Sequence, residues 1–91
     1  MAGVTVELES MREAEKSLAV YIENMSDSVK KLRSNAEDCR DNMENDEYSR
    51  KMVGSLEDCL TDIEKNLTCA EEIKIKIHNK IIEIENSLAA I

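Results

Sequence analysis

The sequence predicts an all-α fold, an antiparallel two-helix hairpin packed like a coiled coil. Three features predict it. Proline is absent and 35% of the residues are charged, which favours long helices over short strands and tight turns. Apolar residues recur every three or four positions in two long stripes. A single interruption near the midpoint separates the stripes. At 91 residues there is room for one small domain, and its limited core makes a partner a natural expectation.

The first stripe runs Met11, Ala14, Leu18, Tyr21, Met25, Val29, Leu32, Ala36, Cys39 and Met43. Its steps are three or four residues, with an extra four-residue step from Met25 to Val29, and it lasts about nine turns. Ser10 and Glu13 match a capping box, while Thr5 offers an earlier cap. Val4, Val6 and Leu8 extend the apolar character. The predicted start is therefore around residues 6–10, and helix 1 spans about residues 7–41.

The stretch NMENDEY then breaks the stripe and predicts a turn at about residues 42–46. Asn42, Asn45 and Asp46 are residue types that leave one helix and cap the next. Asn45 is expected to hold a left-handed or otherwise non-helical backbone, as helix ends favour. Asp46 and Glu47 then stand at the positive end of helix 2. Glu37, Asp38, Asp41 and Glu44 add negative charge around Arg40. An acidic calcium loop is excluded by spacing. Counted from Asp41, the loop would put Met43, Asp46 and Met52 where a ligand, a glycine and a bidentate glutamate are required.

The second stripe runs Met52, Leu56, Leu60, Ile63, Leu67, Ala70, Ile73, Ile77, Ile81, Ile84, Leu88 and Ile91, and it predicts helix 2 over about residues 47–89. Folding about the turn sets Ala36 against Met52, Leu32 against Leu56, Met25 against Ile63, Tyr21 against Leu67, Leu18 against Ala70 and Met11 against Ile77. Residues 73–85 also alternate apolar and polar, as two strands joined at His78-Asn79 would. That dipeptide lacks the glycine a tight hairpin favours, and the three-four rhythm continues through it, so the segment reads as helix.

A net charge of −8 and only two aromatics, Tyr21 and Tyr48, oppose nucleic acid as a partner. They equally oppose an anionic membrane surface. No stretch of about 18 apolar residues predicts a membrane span. The start MAGVTVELESMREAEK has neither the basic opening nor the apolar run of a secretory signal, and Gly3 is misplaced for myristoylation. The expected location is cytoplasmic, with any export by a route other than the general secretory one.

No catalytic set, metal site or cofactor site is predicted. His78 is the only histidine and reads as solvated, the serines lack a nucleophile motif, and the carboxylates fall on convex faces without a pocket. Asn24 and Asn66 begin chance glycosylation-like triplets. Cys39, Cys59 and Cys69 are odd in number and widely spaced, which reads as small buried or half-buried hydrophobes kept reduced. Gly54, within helix 2, reads either as a tolerated weak spot or as a point of close approach by another backbone.

Helix 2 carries more isoleucine than one seam can use. On a helical wheel, Ile75 and Ile82 lie about 130° from the seam centred on Ile77, Ile81, Ile84 and Leu88. Val53 and Ala89 are expected on that same second face. One hairpin cannot cover both, so Val53, Ile75, Ile82 and Ala89 form the predicted partner-binding face, with another helical protein as partner in a hetero-oligomer.

The whole chain resembles the WXG family, small acidic helical hairpins exported by type VII secretion systems of Gram-positive bacteria. The family places Trp-x-Gly in its central turn. Met43-Glu44-Asn45 stands there in this chain, with Met43 as the apolar plug, Asn45 for the glycine, and Tyr48 matching an aromatic that commonly follows. The chain departs from the family in having neither the Trp nor the Gly of the motif. It also has no tyrosine after Tyr48 to begin the C-terminal Tyr-x-x-x-Asp/Glu export signal. The resemblance therefore implies a divergent branch, such as the accessory hairpins that bind the helical N-terminal domain of an LXG-type toxin and direct its export. A second small hairpin protein is the other partner it implies. Two further readings stay open beside it: a coiled-coil subunit of a cytosolic assembly, and an acidic immunity or antitoxin protein.

Overall fold

The computed structural model describes residues 2–43 and 45–90, with side chains from Gly3 onward. Glu44 and Ile91, expected in the turn and at the end of the second stripe, lie outside the described residues. The fold is an all-α two-helix hairpin: α1 spans Ala2–Asn42 and α2 spans Glu47–Ala89. Residues 73–85 are helical throughout.

α1 begins earlier than residues 6–10. Leu8 is buried and Val4 half-buried, so apolar burial carries the helix past the capping box at Ser10, which lies mid-helix. At the other end, the Asn42 side-chain amide donates to the Asp38 carbonyl at 2.8 Å and the Met43 N–H to the Cys39 carbonyl at 2.9 Å. These bonds satisfy carbonyls that a helix terminus leaves without partners.

Asp46 caps α2. Its Oδ1 accepts from the Ser49 N–H at 2.7 Å, and its carbonyl accepts the Arg50 N–H at 3.1 Å. Hydrogen bonds from Ser49 chiefly, with one from the Tyr48 backbone, hold the exposed Asp46 carboxyl below its ordinary value of 3.8. Asn45 is non-helical, the second of the two expected conformations, and no non-glycine among the described residues has a positive φ. Capping at Asp46 starts the helix that follows the turn.

The seam is stricter than the expected stripes. On α1 the covered positions are 4, 8, 11, 15, 18, 22, 25, 29, 32, 36, 39 and 43, with Ala19 and Ser26 half-buried beside them. On α2 they are 49, 53, 56, 60, 63, 67, 70, 74, 77, 81 and 84, flanked by Glu57 and Glu64. Both series alternate steps of four and three without exception, as a heptad seam requires. Four expected seam residues are therefore displaced by their neighbours. Ala14 and Tyr21 are exposed while Glu15 and Ile22 face inward; Met52 and Ile73 are exposed while Val53 and Lys74 face inward.

Each helix passes through two compact units. The turn unit, Asn24–Thr68, holds a core of Val29, Ala36 and Leu60, with Leu32, Leu56 and Ile63 packed against it. The other unit joins Met1–Glu23 with Cys69–Ile91 and buries Leu8, Ala70 and Ile81.

Candidate partner-binding surface

The seam consists of two layers that are covered unequally. In one layer Leu8, Val29 and Ala36 of α1 and Val53, Leu60 and Ile81 of α2 are buried, while Glu15, Ile22, Met43, Leu67 and Lys74 of the same layer are half-buried. In the other, Ser49 and Ala70 are buried, while Met11, Leu18, Met25 and Leu32 with Leu56, Ile63, Ile77 and Ile84 remain half-exposed. The residues flanking each layer explain the difference.

Beside the buried layer stands a ladder of opposite charges. In the turn unit Arg33 pairs with Glu64 and Arg40 with Glu57. The hydrogen bond that Arg40 donates to Glu57, together with the negative charge of Glu57, raises the exposed Arg40 guanidinium above its ordinary value. In the other unit Arg12 Nη2 meets Glu85 Oε1 at 3.0 Å, and His78 Nδ1 lies 3.1 Å from Glu15 Oε1. Seven-residue steps place Arg12, Arg33 and Arg40 on one edge of α1, and Glu57, Glu64, Glu71, His78 and Glu85 on one edge of α2. The stems and heads of these side chains lie over the buried layer. As exposed pairs they contribute little to stability individually; what they close is the flank.

Among the described residues the opposite flank carries charge at the equivalent seven-residue steps only at Glu7 and Lys80. Beside the half-exposed layer, the turn unit presents Ser28 and Asn35 of α1 with Met52, Cys59 and Asn66 of α2, none of them charged. The other unit presents Ala14, Tyr21 and Ile73 there, the last two 40% and 44% exposed. Most side chains on this flank are shorter or less polar than the arginines and glutamates opposite, and most of the second layer is half-exposed.

The expected partner face is only partly as predicted. Ile75 and Ile82 are 59% and 44% exposed, and Ala89 is exposed. Val53 does not join them: it is 9% exposed and belongs to the buried layer. The reason is the one-residue shift of the α2 seam, which brings Val53 inward and turns Met52 out.

Around the turn, Met43 is half-buried and, with Asn45, Val53, Gly54 and Cys39, lines a cleft of about 380 Å³ within the turn unit. Tyr48 is 76% exposed and takes no part in that lining. A Cβ added at Gly54 would meet nothing within 4 Å, so no neighbouring backbone of this chain demands glycine there. The three cysteines are free thiols. Cys39 is half-buried, but Cys59 and Cys69 are exposed, which corrects the expectation of buried or half-buried sulfurs for those two.

Among the described residues no group of three or more His, Cys, Asp or Glu side chains is placed to hold a metal, and no helix is long and apolar enough to cross a membrane. The charge ladder and the Glu15–His78 contact were missed in the sequence. The signal was present, since opposite charges recur at heptad spacing on the two stripes, but it emerges only once the seam is placed on Glu15 and Lys74. Compared with known protein families, characterised proteins and solved structures, the chain matches none.

Proposed function

We propose that this chain is a non-enzymatic helical binding protein whose partner is another helical polypeptide. The observation that carries this reading is the one-sided cover of the seam. Large apolar side chains of one layer, Met11, Leu18, Ile77 and Ile84 among them, are half-exposed along a flank bordered by Ala14, Tyr21 and Ile73. A helix laid along that flank would complete the burial the hairpin leaves unfinished. Ile75, Ile82 and Ala89 add a second apolar surface on α2.

The WXG-like turn residues Met43 and Asn45, the acidic charge and the hairpin length support a specific setting for this binding. In that setting the chain is an accessory hairpin that engages the helical N-terminal domain of a larger toxin and targets it for type VII export. Photo-crosslinking in the native host tests the reading. A photoreactive residue replacing Tyr21 or Ile73 should give one discrete adduct with a helical polypeptide, while the same residue at Asp58, on the outer side of α2, should give none. Absence of an adduct from Tyr21 and Ile73, or equal labelling from Asp58, would overturn it.

A further inference from the structure

We propose that the Ile75–Ile82 face of α2 receives a basic amphipathic helix of another polypeptide. The proposal rests on the reading of the chain as a helix-binding protein, and it concerns a different side of the hairpin from the open seam flank. Within the unit formed by the chain ends, α2 carries a second stripe that steps by four and three: Glu71, Ile75, His78, Ile82, Glu85 and Ala89. Its two isoleucines are one heptad apart and exposed, the spacing of successive anchors in helix-in-groove recognition.

The charges around this stripe select the partner. Glu71 and Glu72 stand at its N-terminal end, and among the described residues neither makes an ion pair. Asn79 and Asn86 continue the outer edge without charge. The lysines of this stretch lie elsewhere on the wheel: Lys74 in the seam, Lys76 and Lys80 toward the far side. On the inner edge, Glu85 is already engaged by Arg12, and Arg12, Lys16 and Lys74 line a shallow cleft with Glu15. The face is thus apolar in the middle, acidic at its N-terminal end, uncharged along the rest of its outer edge, and guarded by cations on the α1 side. It fits a helix with two apolar anchors seven residues apart and Lys or Arg beside the anchor that meets Ile75. An acidic helix would meet Glu71 and Glu72 without compensation.

Synthetic helical peptides with leucine at heptad positions, flanked by Lys, Gln or Glu, are the probes, titrated into the full-length protein by calorimetry. The Lys peptide should bind tightest, about tenfold above the Gln peptide at low salt, with that margin shrinking as salt rises. Glu71→Gln with Glu72→Gln should remove the margin and leave Gln-peptide binding unchanged. Ile75→Ser with Ile82→Ser should abolish binding of both peptides while far-UV dichroism of the hairpin stays the same. Equal binding of the Lys and Glu peptides would overturn the proposal, as would Lys-peptide binding that survives loss of both isoleucines, or no binding at all. None of these results bears on the Tyr21 and Ile73 adducts, so the proposal and the broader reading fail separately.

Discussion

Ile73 and Ile81 lie on the same helix, within the same unit, and belong to the same apolar stripe in the sequence. Their exposures differ: Ile81 is 5% and Ile73 44% exposed. Replacing either by alanine removes three carbons, worth about 0.8 kcal/mol each when buried. Scaled by burial, transfer alone costs about 2.3 kcal/mol at Ile81 and about 1.3 kcal/mol at Ile73. At Ile81 a cavity adds to the cost, bringing the total to about 2–4 kcal/mol. At Ile73 solvent fills the space, and alanine's better helix propensity returns roughly 0.4 kcal/mol, leaving about 1 kcal/mol or less. For a domain of this size, Ile81→Ala should lower the melting temperature by about 10–25 °C and Ile73→Ala by about 5 °C or less. Thermal unfolding followed by far-UV circular dichroism measures both. Equal losses, or a larger loss at Ile73, would put the seam back on the wider stripe and refute the strict heptad.

Two other outcomes follow from the turn unit. Asp46→Ala should lower the melting temperature, and Asp46→Ser should retain most of it, because serine also caps. The folded carboxyl of Asp46 titrates below its ordinary 3.8, so its stabilising contribution is present above that pH and is lost as pH falls through the lower, folded value. The parent should therefore lose stability on acidification more steeply than Asp46→Ala, and parallel acid limbs in a pH-dependent melting series would contradict the cap. Cysteines introduced at Leu32 and Leu56, in a background lacking the three native ones, should oxidise within one chain, since both side chains pack on the same core. Dimers as the sole oxidised product on a non-reducing gel would contradict the hairpin.

The two helices were legible because their apolar period is long and the interruption is single. The register of part of each seam was less legible. Tyr21 and Ile73 are large and apolar, whereas Glu15 and Lys74 are charged, so choosing residues by hydrophobicity draws the stripe one position away from the true seam. A strict alternation of four and three, extended backward from Val29 and forward from Leu56, would have selected Glu15, Ile22 and Lys74. The same shift hid the Arg–Glu ladder and misplaced Val53. Legible too were Ile75 and Ile82, because they lie far from either version of the seam. What no sequence pattern disclosed was the unequal cover of the two layers, which depends on how far flanking side chains reach across a groove.

Glu15 and Lys74 are the two charged residues at seam positions, and both belong to the layer that elsewhere buries Leu8 and Ile81. Each is only half-buried, and Glu15 keeps a hydrogen-bonding partner in His78 at 3.1 Å. A charged layer in an apolar seam lowers stability relative to a leucine layer, and its best-attested benefit is to fix which helices pair and in what register. The open flank makes that benefit relevant here: a continuous apolar seam would let one hairpin exchange or stack helices with a second copy. Glu15→Leu with Lys74→Leu should raise the melting temperature, at the low end of the about 1–4 kcal/mol seen when ionic layers are replaced, because both sites stay partly wet. It should also make the protein self-associate more strongly than the parent in sedimentation velocity over a rising concentration series. A double variant that melts lower would mean that the Glu15–His78 contact contributes more than the apolar layer replacing it. One that melts higher with unchanged association would mean that the turn and the charge ladder alone select the pairing, and that the charged layer has no part in it.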